Sequence, residues 1–366
     1  METKKLIDCC EFISDGDHLP PPKSDSGVPF ITISNITGQN KLSFEDTMFV
    51  PESYYNGLNE NKKAQKGDIL YSVVGSFGKP VYVDFDKQMV FQRHIAILRP
   101  KRNVNARFIY YTMLNPQFYK LVDKLAIGCS QRTVTLDTLR NIEVNLPDKD
   151  IQDKMVGILS LIDEKIDINN NVNDNLEQQI QLIFDYLFPD VCAGNKHMGD
   201  FIIPKRGKSL LSKNVVHGNV PVIAGGLEPS IYHNVANTIA PVVTISSSGA
   251  NAGFVNIWGV PVWSSDSSYI DSEMSRYVYF WYAYLKRHQN NIYNIQTGSA
   301  QPHIYPSHIS SLPITDLDYK KIENYTEIVS PIFSTITKNH VENQHLQSLR
   351  DWLLPMLMNG QATIND

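Results

Sequence analysis

Four cysteines, ten histidines and 38 acidic side chains give this 366-residue chain the raw material of catalysis, but their spacing does not assemble it. Cys9, Cys10, Cys129 and Cys192 form no Cys-x-x-Cys pair and no Cys/His metal spacing, so free thiols in a reducing compartment fit them best. The histidines show no His-Glu-x-x-His spacing, which leaves metal hydrolysis without a ligand set. Asn115-Pro116-Gln117-Phe118 approaches the Asn-Pro-Pro-aromatic signature of amino-methyl transfer. Gln117 stands where the second proline belongs, and no glycine-rich cofactor loop accompanies it, so a proline near a helix start or kink explains the run. Gly75-Ser76-Phe77-Gly78 lacks the Gly-Lys-Ser/Thr of a phosphate loop and reads as a hairpin turn. Gly-x-Ser-x-Gly is absent. Pro147-Asp148-Lys149-Asp150 has nuclease-like letters without a second acidic partner on a strand, and Asp163, Glu164 and Asp167 read as a solvated helix face. No catalytic residue and no metal site is expected.

Side chains that could reach phosphates or base edges are Lys23, Arg93, His94 and Arg132 in the first half of the chain. In the second half they are Lys205, Arg206, Lys208, Arg287 and His303. Arg and Lys suit guanine edges, whereas Asn and Gln suit adenine. Arg93, between Gln92 and His94, interrupts the apolar run Val90-Phe91 to Ile95-Leu98 and is the best single candidate. The net charge of −5 argues against nucleic acid only until it is divided along the chain. Residues 151–195 hold eight acidic against two basic side chains, whereas 1–150 hold 18 against 19 and 196–316 hold six against eight. The acidity lies in the helical stretches, and the remainder is mildly basic, which is compatible with DNA contact.

These residues sit in a plan stated twice. Gly128-Cys129-Ser130-Gln131 opens a stretch closing on Leu146-Pro147; Gly298-Ser299-Ala300-Gln301 opens one closing on Leu312-Pro313, 170 residues after the first. A period so far above the roughly 20–50 residues of solenoid repeats means a duplicated domain. Val28-Pro29-Phe30-Ile31 returns as Val220-Pro221-Val222-Ile223, and the strand, glycine turn and return strand at 69–83 return at 242–255. The stretch from Phe108 to Leu125 predicts one helix in the first copy, and Tyr277 to Leu285 predicts its counterpart. After each Leu-Pro the apolar period becomes three-four. In the first stretch it passes through Ile158, Ile162, Val172, Leu176 and Ile183, with Asn169 and Gln179 as polar seam positions. In the second it passes through Ile336, Leu346, Leu349/Arg350 and Leu353, with Pro331 expected to kink the helix or delay its start. Helices of this length, at about 1.5 Å per residue, reach roughly 55 Å. Because a globular domain separates them in the chain, they can pair antiparallel. The reading is therefore α+β, with two globular α/β domains in tandem repeat separated by two long antiparallel coiled-coil helices. The boundaries are 1–150, a helix over 151–188, linker and second domain over 189–316, and a helix over 317–360. No signal core follows Met1-Glu2-Thr3-Lys4-Lys5 and no apolar run spans a bilayer, so a soluble, cytoplasmic protein is expected.

This chain resembles the DNA-specificity subunit of type I restriction-modification enzymes. The resemblance is carried by Asp15-Gly16-Asp17-His18, Gly27-Val28-Pro29-Phe30-Ile31, Lys66-Gly67-Asp68-Ile69-Leu70 to Gly78, and Gly128-x-x-Gln131 to Leu146-Pro147. It extends through Ile162-Asp163-Glu164-Lys165-Ile166, Leu182-Ile183-Phe184 and the ending Leu349-Arg350-Asp351-Trp352 to Gly360. The resemblance implies two target-recognition domains, each reading half of a bipartite double-stranded DNA site, spaced by the helices. It further implies docking of two methyltransferase subunits that bind S-adenosylmethionine and methylate adenine. An ATP- and Mg-dependent restriction (motor and nuclease) subunit would complete the complex, while this chain holds no cofactor and performs no reaction. Pro302 and Pro306 replace Arg132 and Leu136 in the second copy, so the second half-site should differ. The alternatives are the reader part of a self-contained DNA-modifying enzyme, against which the broken Asn-Pro-Pro-aromatic motif argues, and a coiled-coil adaptor that does not bind DNA.

Overall fold

The computed structural model describes residues 2–129, 131–298 and 301–362. Ser130, Ser299 and Ala300, inside the repeated Gly-x-x-Gln motifs, lie outside the described residues. The chain divides into two compact units, residues 1–165 with 345–366, and residues 166–344. Each long helix contributes to both units, so neither helix is a separate body.

The first unit opens with β1 (Glu2–Lys5), followed by β2 (Cys10–Asp15), β3 (Val28–Ile31), β4 (Ile69–Ser72), β5 (Pro80–Tyr82), β6 (Val90–Phe91) and β7 (Ile95–Pro100). Helices α1 (Ala106–Leu114) and α2 (Pro116–Leu125), strand β8 (Glu143–Leu146) and the long helix α3 (Lys149–Leu187) complete the run. The four-stranded sheet has the order β2-β7-β4-β5. All four residues of β4, Ile69-Leu70-Tyr71-Ser72, are buried, the mark of a central strand covered on both faces. Strand β6 runs parallel to β3, with Phe30 opposite Val90 and Ile31 opposite Phe91. β1 and β8 close the domain as an antiparallel ribbon, Glu2 opposite Leu146, so the chain enters and leaves at one place.

The single helix expected over 108–125 is two helices, broken at Asn115. The Asn115 side chain accepts a hydrogen bond from the Gln117 amide at 3.0 Å, and Pro116 fills the first helical position, where no donor is needed. Asn115-Pro116 is thus a helix cap rather than a catalytic motif.

The second unit repeats the plan through β9 (Lys196–His197), β10 (Lys205–Arg206), β11 (Val220–Ile223), β12 (Val242–Ser246), β13 (Val255–Trp258), β14 (Trp263–Ser264) and β15 (Ser267–Asp271). Helix α4 (Val278–Arg287), strand β16 (Pro313–Ile314) and the long helix α5 (Tyr319–Met358) follow. The sheet order is β10-β15-β12-β13, β14 runs parallel to β11, and β9 pairs with β16. The core of this unit is aromatic: Phe184, Phe188, Phe280 and Tyr325 meet with ring centroids 5.2–5.8 Å apart.

The long helices depart from the expected seam in phase. On α3 the buried positions include Met155, Leu159, Ile162, Ile166, Asn169, Asn173, Ile180 and Phe184, whereas Val172 and Gln179 face solvent. On α5, Arg350 is buried and Leu349 exposed. Ile162 and Ile336 are buried, whereas Ile158, Leu176, Ile183, Leu346 and Leu353 are half-buried. In the second unit Asn169 meets Asn343 at 2.8 Å and Asn339 meets Asn173 at 2.8 Å, which fixes the two helices antiparallel there. Pro331 neither delays nor ends α5, which runs unbroken through it. Pro331 lies on the exposed face, where water can bond the carbonyl that loses its amide partner.

Candidate nucleic-acid interface

In the first unit four segments converge at one end of the sheet and form a cleft of about 290 Å³. Its polar lining is Asp15, His18, Arg93, His94, Gln131, Thr133 and Thr135. Backbone hydrogen bonds hold the segments. The Gly16 amide donates to the Ile95 carbonyl (3.2 Å), Asp17 to Phe91 (2.6 Å), Arg93 to Asp17 (2.9 Å), Val73 to His94 (2.9 Å) and Val134 to Val73 (2.8 Å). Gly16 is required: a Cβ there would stand 2.1 Å from the Phe91 carbonyl oxygen. Asp15 and His18 bond side chain to side chain at 2.7 Å, and Asp17 accepts from the Tyr54 hydroxyl, pushing that phenol up to about 12 by burial and by the carboxylate.

Arg93 is exposed at the cleft mouth, with its Nε 3.4 Å from Nε2 of His94 and no carboxylate within ion-pair distance among the described residues. Burial, assisted by the Arg93 charge, lowers the His94 pKa, so the ring is neutral near pH 7. The cleft thus offers a free guanidinium beside a neutral imidazole, a carboxamide and hydroxyls: a surface for hydrogen-bonded recognition, with no activated nucleophile. Arg132, in contrast, is held by its own domain. It bonds the Asp123 carboxylate and backbone carbonyl and lies over the Phe77 ring at 5.7 Å, so it is half-buried and ion-paired within the domain. Lys23 is exposed on the loop after the proline run and does not line the cleft.

The second unit repeats this framework in all but the Arg93 to Asp17 bond. Gly207 donates to Ser267 (2.8 Å), Lys208 to Ser264 (2.9 Å), Ser247 to Asp266 (3.1 Å) and Ile304 to Ser247 (3.0 Å). The Gln92 to Ile31 bond returns as Ser265 to Ile223, and the Gly75 to Arg132 bond as Gly249 to Pro302. Position by position, Asp15 corresponds to Arg206, Asp17 to Lys208, His94 to Asp266 and Thr133 to His303. The charges are largely reversed. Arg206 is paired with Asp266 at 2.6 Å, and Asp266 also accepts from the Ser248 hydroxyl. Lys205 and Lys208 are exposed, and the His303 ring stacks near Tyr305 at 6.1 Å.

Arg287 belongs elsewhere. Its guanidinium donates to the carbonyls of Phe188 (2.8 Å) and Pro189 (2.7 Å) beyond the end of α3. It satisfies acceptors left over at a helix C-terminus and complements the dipole there, which is a structural task. A second groove of about 540 Å³, between α3 and α4 of the second unit, had no signal in the sequence. Burial raises the Glu177 pKa and lowers that of Lys286 in it. The intended seam residues Leu176, Ile183 and Leu353 pack inward on the domain cores. Leu161, Ile168, Leu182, Tyr186 and Trp352 are the large apolar side chains that the long helices leave most exposed. Among the described residues no His/Cys/Asp/Glu cluster could hold a metal, and no helix is long and apolar enough to cross a membrane.

Residues 1–178 match the family described as the type I restriction modification DNA specificity domain. These residues belong to that family. Curated relatives agree: the HindI specificity subunit of Haemophilus influenzae is 30% identical over 135 residues, covering 35% of this chain and 29% of its own length. The MjaVIII specificity subunit of Methanocaldococcus jannaschii is 26% identical over 169 residues, 44% of this chain and 39% of its own. The matched part therefore spans well under half the length of these two relatives. In fold, the chain is similar to the type I restriction-modification S subunit from M. genitalium, with TM-score 0.59 and 17% identity over 100% of this chain and 96% of that one. The specificity-domain match covers the whole first cleft, and the fold likeness extends through the second unit.

Proposed function

We propose that this chain is the non-catalytic DNA-specificity subunit of a type I restriction-modification complex. The domains at 1–150 and 189–316 act as target-recognition domains, each reading one half of a bipartite double-stranded site. The helices over 151–188 and 317–360 act as an antiparallel coiled-coil spacer and as the docking surface for two methyltransferase subunits, to which restriction subunits join. S-adenosylmethionine, ATP and Mg belong to those partners, and the complex works in the cytoplasm. The observation that carries the reading is the repeated hydrogen-bond framework, built in both units with different side chains at corresponding positions. Two unlike half-sites need such an arrangement, whereas an adaptor without a nucleic-acid ligand does not. The outward Ile168, Leu182, Tyr186 and Trp352 suit burial by partner subunits.

The test is co-purification with the methyltransferase subunit, followed by mapping methylated adenines in the host genome with and without this gene. Loss of one bipartite motif with an unspecified gap is the expected result. A stable complex with an unchanged methylome, or no complex and no DNA binding, overturns the proposal.

A further inference from the structure

The two frameworks differ in backbone length at one place. The strand pairs β3–β6 and β11–β14 align Phe91 with Ser264, and the amide bonds of Gly16 and Gly207 align Ile95 with Ser267. Three residues, Gln92-Arg93-His94, join these points in the first unit, but only two, Ser265-Asp266, in the second. The flanking bonds assign Gln92 to Ser265 and His94 to Asp266. Arg93 is therefore the inserted residue. Its amide bond to the Asp17 carbonyl has no counterpart in the second unit, and this bond holds the insertion against the 15–18 loop.

The insertion changes what each unit can offer a base. In the second unit Arg206 is ion-paired with Asp266. Arg93 has only the neighbouring imidazole, so its fork of donors is free for a planar acceptor pair. The geometry points to the turn between β6 and β7 as the specificity-determining element of the first half-site, with Arg93 reading a guanine edge through its N7 and O6. This assignment rests on the DNA-specificity reading above and goes further, because it fixes a base class, a residue and a half-site. The bipartite site should carry a guanine in the half read by the first unit, and that base should depend on Arg93 alone.

The experiment uses the full chain in complex with its methyltransferase subunits and compares wild type, R93Q and R93A by methylome mapping and by binding to duplexes varied at each site position. Loss of a bidentate arginine contact lowers discrimination at one position by roughly 10- to 100-fold. Glutamine favours adenine, so R93Q should move that position from guanine towards adenine, while R93A relaxes it. The other half-site stays unchanged. A first half-site without guanine overturns the assignment, as does an unchanged motif in R93A. A uniform loss of affinity across all sequences, with a shallower salt dependence, overturns it too by marking a phosphate contact. If the wild-type complex recognises no bipartite site at all, the specificity reading itself has failed. Arg93 is exposed and its amide bond survives substitution, so equal thermal unfolding of the three proteins is expected.

Discussion

In the first unit, Asp163 on α3 is the hub of a partly buried network with α1 and α5. Its carboxylate accepts from the Arg350 guanidinium at 3.0 Å and from the Tyr111 hydroxyl at 2.7 Å. The Asp163 and Arg350 side chains are 23% and 11% exposed. Asp163→Ala leaves Arg350 with Asp351, itself well exposed, and strands the tyrosine hydroxyl. Breaking a fully buried pair costs about 3–5 kcal/mol, which partial exposure reduces to roughly 2 kcal/mol. The orphaned hydroxyl adds about 1 kcal/mol. A total near 3 kcal/mol lowers the melting temperature of a domain of this size by roughly 6–12 °C. Calorimetry of the full chain measures the shift, and hydrogen exchange localises it: peptides covering 155–162 and 354–358 should lose protection, while those covering β12 and α4 should not. D163A, R350A and the double variant form a cycle in which the double should cost less than the sum by more than about 0.5 kcal/mol. Additive costs, or a loss below about 0.5 kcal/mol for D163A, would refute the network.

Three further outcomes are expected. Gly16→Ala must displace the 15–18 loop from the 91–94 turn, since its Cβ meets a carbonyl oxygen rather than a flexible side chain; loss of first half-site binding with modest destabilisation is expected, and normal binding would show that the loop gives way. R93Q removes a positive charge beside His94, so the His94 titration followed by NMR should move upward, and a downward move would contradict the assigned cause. Glu177 has a folded-state pKa raised by burial, so the wild-type protein loses stability as pH rises through that value. The stability of E177Q relative to wild type should therefore be more favourable at pH 7 than at pH 4, and the reverse ordering would exclude burial as the dominant influence.

The duplication was legible because each copy writes the same punctuation, Gly-x-x-Gln to Leu-Pro, in the same order. The long helices were legible from their period but not from their phase. Hydropathy favours Val172 over Asn173, and spacing alone does not choose within Gln179/Ile180 or Leu349/Arg350; the helices bury Ile180 and also Asn173 and Arg350, which bond across the pair. Pro331 forbids a helix only where the orphaned carbonyl is dry, and the sequence does not say which face it occupies. Among the candidate cations, Arg132 and Arg287 carry the same letters as Arg93. Their acceptors, Asp123 and the carbonyls of Phe188 and Pro189, come from other segments, and only folding puts them in reach. Arg93 as an insertion was hidden for a related reason: the two copies share almost no residues at that turn, and only strand register aligns them.

The asparagine ladder of the second unit has a consequence for which helices will accept one another. Asn169, Asn170 and Asn173 on α3 bond Asn343 and Asn339 on α5 at 2.8–2.9 Å. Sliding either helix by one turn, about 5.4 Å, would keep one rung, Asn173 facing Asn343 or Asn169 facing Asn339, and leave the amides of the other without their partners. A helix from another protein, or from a second copy of this chain in another alignment, meets the same penalty unless it presents amides at matching intervals. The ladder is therefore a self-recognition code: it makes α3 and α5 preferred partners for each other while the chain is being synthesised, when a whole α/β domain must be made between the first helix and its mate.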